Sequence, residues 1–349
     1  ISDNHKNIYL RNFSDGKVFS VLKSKYGSRI IKNWIRHKTV PLYALKSINF
    51  KLKDTENLEL GIYSSNNTTP LKIKINEDFC RLLGFYASEG TSRLNNVVFS
   101  FGSHEVNYMN DVKRIIKELF NIGCSQRESR RSSTQLEFPG KLLSILFKEI
   151  LNAGSNAHNK RIPNIIYSLN YNLRLAFLKA YLEGDGSNLI QHPENMIRPQ
   201  VCISSTSVNT NLTNDLLYLY SQFGVNANYQ EAFIEDHIIN KTGQFVKGSL
   251  STRANVTSPD AAFKLGFLEE TLPKNKGKPA IENFIPAPLK YKKEWKYRNR
   301  VRVNRELAVK IAEKYFDHDL LKLAKADFLY VRITKINRIN STNGYAYDL

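Results

Sequence analysis

Cysteine is scarce in this 349-residue chain, and the three present, Cys80, Cys124 and Cys202, are scattered, odd in number and set in apolar contexts. They read as reduced core residues rather than as a zinc site. The seven histidines show no ligand spacing either. There is no Walker loop and no dinucleotide fingerprint, so nucleotide hydrolysis has no support. No apolar window approaches the length of a membrane-crossing helix and no secretory signal opens the chain, which places the expectation in the cytoplasm, away from membranes. The initiator methionine is also missing: the chain begins with Ile1, as a piece of a larger product would. Acidic residues are in deficit. Against 51 Lys and Arg stand 32 Asp and Glu, a net charge of +19 with a pI near 9.7. A chain this basic usually meets a polyanion.

What is present is a pair of short motifs. "LLGFYASEG" (82–90) runs from apolar to small residues and ends on an acid followed by glycine. A glycine there is an ordinary helix stop, but a carboxylate at the negative end of a helix is unfavourable. The same arrangement recurs in "LKAYLEGDG" (178–186), where Leu82 matches Leu178, Gly84 matches Ala180, Ser88 matches Gly184, Glu89 matches Asp185 and Gly90 matches Gly186. The third and seventh positions are small in both copies and four apart, so each helix carries a small-residue face through which two backbones could pack. The two acids would then lie side by side at two negative helix ends. Such carboxylates repel unless a cation sits between them, and magnesium, which favours carboxylate oxygens and keeps several waters, suits that place.

The motifs belong to a longer repeat. After the first comes "NNVVFSFGSHEVNYMNDVKRIIKELFNIGC" (95–124), and after the second "PQVCISSTSVNTNLTNDLLYLYSQFGVNA" (199–227), each a strand, a turn and a helix closing on glycine. Polar strand-like segments and one more apolar helix follow in each copy. Each half therefore reads as helix, strands, helix, strands, helix over roughly a hundred residues, a plausible domain size. The fold class is mixed α/β with pseudo-twofold symmetry, and duplex DNA is a natural partner for that symmetry.

Positive charge is clustered. Residues 290–305, "KYKKEWKYRNRVRVNR", hold eight basic side chains, one acid and three aromatics, a mix suited to phosphate contact. Near the start, residues 16–48 read as three short helices broken near Gly27 and before Pro41, the middle one carrying Arg29, Lys32 and Arg36. This fits equally a helix-turn-helix element offering that helix to the major groove and a basic helical cap on the first repeat.

The paired motifs, their spacing and the flanking repeat resemble a two-repeat LAGLIDADG homing endonuclease of the kind embedded in archaeal inteins. The resemblance covers roughly residues 70–290. The approach to the first motif, "TTPLKIKINEDFCRLLGFYASEG", resembles the family's, as does the basic-Ile-Pro step in "NKRIPNIIYSLNYNLRLAFLKAYLEGDG" before the second. The tail, ending in Tyr347, Asp348 and Leu349, resembles the strands that lead back into an intein's splicing domain.

The resemblance implies that the motif helices form the interface between repeats, with Gly84, Ser88, Ala180 and Gly184 in contact, and that the sheets form a saddle over DNA. It implies that Glu89 and Asp185, with the backbone of Gly90 and Gly186 beside them, bind magnesium (manganese substituting) at two scissile phosphates. It also implies a basic residue near each phosphate: Lys160 for one, and for the other Lys278, preferred over Lys274 and Lys276. The expected outcome is a double-strand break with short 3′ overhangs in a long asymmetric target, made by a monomer that is nucleoid-associated when bound. Bases would be read by polar side chains in segments 95–101, 126–137, 187–204 and 228–253, with Arg127, Arg130, Arg131, Arg198 and Gln200 among the contacts. Phosphate contacts would come from Arg29, Lys32, Arg36, Lys290, Lys292, Lys293, Lys296, Arg298, Arg300 and Arg302.

The expected organisation is an accessory region at 1–70, repeats at 71–165 and 166–289, a basic DNA-contacting segment at 290–327 and intein-like strands at 328–349. Departures from the family pattern matter. Ile1 is not a splicing nucleophile and the chain stops at Leu349 without a His-Asn pair, so it should not splice as given. Glu89 replaces the commoner aspartate, and its extra methylene predicts unequal cutting of the two strands. Two rivals share the fold: a non-cleaving DNA-binding regulator, which would have lost the acids, and an RNA-binding intron maturase.

Overall fold

Two helices with broad apolar faces form the centre of the molecule, and the charged pair Arg81–Glu183, at 2.9 Å, joins them at the edge of the contact. The computed structural model describes residues 7–51, 57–62, 68–129, 132–191, 200–239, 244–268, 284–291, 293–294, 302–326 and 330. The first central helix, α4 (Glu77–Glu89), is started by Asn76, whose side chain accepts from the Phe79 N–H at 3.0 Å, with Glu77 and Asp78 at its positive end. The second, α8 (Tyr171–Asp185), is started in the same way by Asn170, which accepts from the Leu173 N–H at 3.1 Å.

Each central helix runs directly into a four-stranded antiparallel sheet. In the first repeat the strands are β5 (Gly90–Ser92), β6 (Asn96–Gly102), β7 (Ser125–Ser129) and β8 (Ser133–Pro139), ordered β5-β6-β8-β7. Strand alternation decides the faces: Val97, Phe99 and Phe101 of β6 and Leu136 and Phe138 of β8 are buried, while Ser100 and Gln135, paired in register, point away from the core. Helix α5 (Val106–Phe120) crosses between the two hairpins, α6 (Lys141–Ile145), extended by a π turn over Leu146–Ile150, closes the repeat, and the short α7 (Asn164–Tyr167) leads into α8. The second repeat follows the same order: β9 (Gly186–Gln191), β10 (Gln200–Ser207), α9 (Thr210–Gln222), β11 (Asn228–Ile234), β14 (Ser249–Val256) and α10 (Pro259–Lys264), with sheet order β11-β14-β10-β9. A small hairpin, β12 (His237–Ile239) with β13 (Gln244–Val246), is inserted between β11 and β14. One apolar core runs through both repeats, from Phe79 and Phe85 across Phe177 and Tyr181 to Leu219 and Val256. The fold is mixed α/β, a tandem of two helix-strands-helix-strands-helix units.

The N-terminal region holds the three expected helices and, in addition, a sheet. Helices α1 (Gly16–Tyr26), α2 (Ser28–Arg36) and α3 (Leu42–Lys46) are present, but they pack with a sheet of β1 (Ile8–Arg11), β2 (Thr39–Pro41), β3 (Glu59–Ile62) and β4 (Thr68–Pro70), ordered β2-β1-β3-β4. Only Gly27, at φ +82°, separates α1 from α2, whereas a helix-turn-helix uses a turn of about three or four residues. These three- and four-residue strands are too short to show a period of two in sequence. The unit has its own core around Leu22, Trp34 and Val40 and meets the first repeat where Ile8 packs with Leu142 and Ile145.

The C-terminal segment also departs from an open basic strip. Strand β15 (Phe284–Pro286), placed by sequence in the second repeat, pairs with β16 (Arg302–Asn304), and these pack with α11 (Arg305–Lys314) and α12 (His318–Lys325) around Ile285, Val303, Ile311 and Leu320. The strands expected at 328–349 lie outside the described residues apart from Tyr330. Among the described residues no helix is long and apolar enough to cross a membrane. Cys80, Cys124 and Cys202 are free thiols, and burial pushes that of Cys80 up to about 12.

Candidate active site

The contacts between α4 and α8 set the site. A Cβ on Gly84 would stand 2.3 Å from the Phe177 carbonyl oxygen and 2.9 Å from both the Ala180 Cβ and the Tyr181 nitrogen. One on Gly184 would stand 2.2 Å from Ser88 Oγ and 3.0 Å from Glu89 Oε1. Gly84 therefore meets Ala180, and Ser88 meets Gly184, so the two helices run in the same direction with backbones nearly touching. Their carboxyl ends coincide, and with them Glu89 and Asp185. Ser88 turns its hydroxyl back on its own helix, sharing its proton between the Gly84 and Phe85 carbonyls at 3.3 and 3.2 Å, so that this hydroxyl is paired within the interface.

Gly90 and Gly186 follow the acids without the left-handed turn that usually explains glycine after a helix. Their φ angles are −78° and −95°, extended backbone that any residue adopts. Close approach is the reason instead: a Cβ on Gly90 would lie 2.6 Å from the Tyr86 carbonyl oxygen, and one on Gly186 would lie 2.3 Å from that of Leu182. Each glycine lets the chain pass straight from helix to strand, so that each acid sits at the junction.

Loss of hydration is the main influence on both acids. Glu89, half-buried, is pushed up from the ordinary 4.5 to about 8, first by burial and then by the negative charges of Asp185 and, more weakly, Glu105, with Lys160 pulling the other way. Asp185 opens to solvent at the mouth of the pair but has protein packed around its other sides, and is pushed up from 3.8 to about 6, again by burial and against the pull of Lys160. Lys160 is 5% exposed and donates its ammonium to the Ser88 carbonyl at the end of α4. Burial lowers its pKa, while the charges of Asp185 and Glu89 hold the proton on. An acid pair and a buried lysine thus converge on the carboxyl ends of two parallel helices.

Neighbouring residues that sequence reasoning missed hold the lysine in place. Tyr86 donates to the Gly154 carbonyl at 2.6 Å and accepts from Ser92 Oγ at 2.7 Å, tying the loop ahead of Lys160 to α4. Gly154 is required there, at φ +78° and with the Asn159 carbonyl oxygen 2.1 Å from where a Cβ would sit. Asn209, the N-cap of α9, donates to the Lys160 carbonyl at 2.7 Å. Polar residues in an Asn-rich loop carry no sequence signal of such long-range contacts.

Among the described residues no group of three or more His, Cys, Asp and Glu side chains could hold a metal by itself. Two carboxylates that repel each other do suit a divalent cation, which would displace their protons and take its remaining ligands from outside the protein. The other expected residues are dispersed. Arg29, Lys32 and Arg36 share the exposed face of α2 at i, i+3 and i+7, distant in sequence from the acids. Arg127 is exposed on the outer face of the first sheet opposite Gln135. Arg253, Thr206 and Gln230 occupy the corresponding outer face of the second sheet, Arg253 donating to Thr206 Oγ1 at 3.1 Å. Gln200 begins β10. Lys290 is exposed and paired, its ammonium lying 2.6 Å from Asp317 Oδ2 within the C-terminal unit. Lys293 is exposed and Arg302 half-buried. Arg130, Arg131, Arg198, Lys274, Lys276, Lys278, Lys292, Lys296, Arg298 and Arg300 lie outside the described residues.

No protein-family model matches the chain. An uncharacterized protein of Methanocaldococcus jannaschii is 33% identical over 180 residues, 49% of this chain and 19% of that protein. A DNA polymerase of Thermococcus sp. GE8 is 25% identical over 300 residues, 85% of this chain and 16% of the polymerase. The chain spans less than a fifth of the length of these curated relatives. Among solved structures, mesophilic variants of the homing endonuclease I-DmoI share 14% identity at a TM-score of 0.38, covering 57% of this chain and 99% of that one. The N-terminal LAGLIDADG domain of DUF199/WhiA shares 14% at a TM-score of 0.36, covering 57% of this chain and 85% of that domain. Both structural likenesses are distant, and the site described above stands on this chain's own contacts.

Proposed function

We propose that this chain is a LAGLIDADG-type homing endonuclease of intein origin that makes magnesium-dependent double-strand breaks in a long asymmetric DNA target. The observation that carries the reading is the acid pair Glu89 and Asp185 at the joined carboxyl ends of α4 and α8, with Lys160 buried beside it. Nothing in core packing calls for two carboxylates at two negative helix ends, so their presence points to bound cations and, through them, to phosphate.

In this reading Glu89 and Asp185 would hold magnesium, one at each scissile phosphate. Bound magnesium supplies charge neutralisation at phosphate and the activation of water. The protein's own part is placement. The glycines after each acid fix the carboxylates at the helix-strand junctions, and the shared helix contact fixes them relative to each other. Lys160, held as an ammonium by the acids, presents positive charge where negative charge grows on the phosphate. The outer faces of the two sheets, with Arg127 and Gln135 on one and Arg253, Thr206 and Gln230 on the other, suit base-edge contact in the major groove. Cleavage with short 3′ overhangs and the use of Lys278 at the second phosphate are part of the same proposal.

The test joins the two host sequences that flank the insertion, places the junction in a plasmid and incubates it with protein and magnesium. Linear product that disappears with chelator is the expected result. Tight binding without cutting would instead identify a DNA-binding regulator. Binding only to structured RNA would identify a maturase.

The raised acids also predict how stability depends on pH. Between its unfolded and folded pKa a raised acid holds a proton in the folded chain that the unfolded chain has released, so its stabilising contribution is full below the unfolded value and is lost as pH rises through the folded one. For this pair the window runs from about pH 4 to about pH 8. Lys160, lowered by burial, acts in the opposite sense as pH rises toward the ordinary lysine range. Without metal, the melting temperature should fall between about pH 5 and pH 8. Magnesium should add stability that grows across the same interval, because it binds the ionised pair. A magnesium effect equal at both ends of the range would count against a metal site at these acids.

A further inference from the structure

Lys160 is held in place from the second repeat, although its ammonium serves the end of the first repeat's helix. Three consecutive residues are fastened to α9. The Lys160 carbonyl accepts from Asn209 Nδ2 at 2.7 Å. The Arg161 guanidinium forms a two-pronged pair with Asp215, Nε to Oδ2 at 2.6 Å and Nη2 to Oδ1 at 2.8 Å. The Ile162 N–H donates to the same Asp215 Oδ2 at 3.1 Å. One carboxylate, 12% exposed, therefore grips the chain on the C-terminal side of Lys160 through both a side chain and the backbone.

This grip has a physical purpose. A buried ammonium costs free energy unless its partners are held in place, and a flexible segment would relax by swinging the lysine out to water. An exposed surface pair contributes little, but here the carboxylate is largely buried, the fork is bidentate and a backbone donor shares it. Helix α9 is itself fixed to the sheet, since Thr213 Oγ1 meets Thr252 Oγ1 at 2.8 Å and Thr252 Oγ1 donates to the Ser207 carbonyl at 3.0 Å. The lysine is thereby referenced to the rigid sheet of the second repeat.

We propose that Asp215 is a positioning residue: its clamp on Arg161 and Ile162 seats Lys160 between the motif acids. The catalytic consequence rests on the endonuclease reading, but the seating itself does not. Asp215 acts through Lys160 and touches neither phosphate nor metal.

The experiment has two readouts on the full chain. The first is amine acetylation followed by mass spectrometry, comparing Lys160 with exposed Lys117 as internal reference. The second is single-turnover cleavage of the junction DNA beside equilibrium DNA binding. In the parent protein Lys160 should be protected. Asp215→Ala should raise its labelling on the order of tenfold, as expected for a locally opened segment, with Lys117 unchanged. Cleavage should slow by roughly ten- to a hundredfold at nearly unchanged DNA affinity, the signature of a misplaced group. Asp215→Glu should restore part of both. Arg161→Gln, made at a side chain 47% exposed, should give a smaller change in the same direction and carries the test if Asp215→Ala fails to fold. Lys160 as protected as in the parent in a folded Asp215→Ala or Arg161→Gln protein would overturn the clamp. Loosened Lys160 with an unchanged cleavage rate would overturn its positioning role. If the parent itself does not cut, the labelling still decides the clamp, and the failure belongs to the endonuclease reading alone.

Discussion

Asp185→Asn is expected to abolish double-strand cleavage, lowering the rate by about a hundredfold or more, while DNA binding persists. The amide keeps the shape of the carboxylate but removes the charge that would hold a divalent cation. Glu89→Gln should act similarly, since both acids lie at the joined helix ends and the charge of Asp185 raises Glu89. Each removes one of two mutually repelling carboxylates but also a counter-charge of the buried Lys160 ammonium, so the melting temperature in chelator above about pH 7 should change little. A plasmid assay with separate detection of nicked and linear product checks the rates, and a parallel melt checks stability. Full cleavage by Asp185→Asn would sink the proposed site. Loss of cleavage with loss of folding would leave the acids as structural residues only.

The second large effect is on folding. Gly84→Ala should cost about 3 kcal/mol or more, because the new methyl meets the Phe177 carbonyl oxygen, a backbone atom that cannot turn aside, at 2.3 Å. Gly184→Ala should cost less. Its nearest neighbour, at 2.2 Å, is Ser88 Oγ, which can rotate away, although Ser88 Cβ at 2.7 Å still crowds it. Ser88→Gly should relieve part of the Gly184→Ala loss, offset by about 1 kcal/mol for a glycine within a helix. Denaturant melts of the three variants would show the ordering. Equal costs at the two glycines would mean that the helices separate more easily than their contacts indicate. Because the acids ride on these helices, any separation should also weaken the magnesium-dependent stabilisation.

How far the fold could be read in advance depended on element length. The motif helices are long and apolar, the hairpin strands alternate, and asparagines stand where helices begin, so the order of elements in both repeats was legible. The strands of the N-terminal unit are three or four residues long and pair across the intervening helices and loops. Nothing local distinguishes them from loop. Strand β15 pairs with β16 across some fifteen intervening residues, so its place in the C-terminal unit is a matter of partner, not of propensity.

By itself, then, the sequence determined which residues could meet: small ones at two matched positions on each motif helix, an acid at the end of each, and a cluster of cations to attract a polyanion. Helical and strand periodicities are local, and local patterns survive in one dimension. Tertiary structure alone decided what surrounds those acids. It brought Lys160 under Ser88, raised both carboxylates by taking water away from them, and set Asp215 to hold the lysine from across the repeat boundary. It also enlisted Lys290 in an internal ion pair with Asp317. Dehydration and charge pairing act between groups close in space, and the contacts that create them join residues tens of positions apart in the chain.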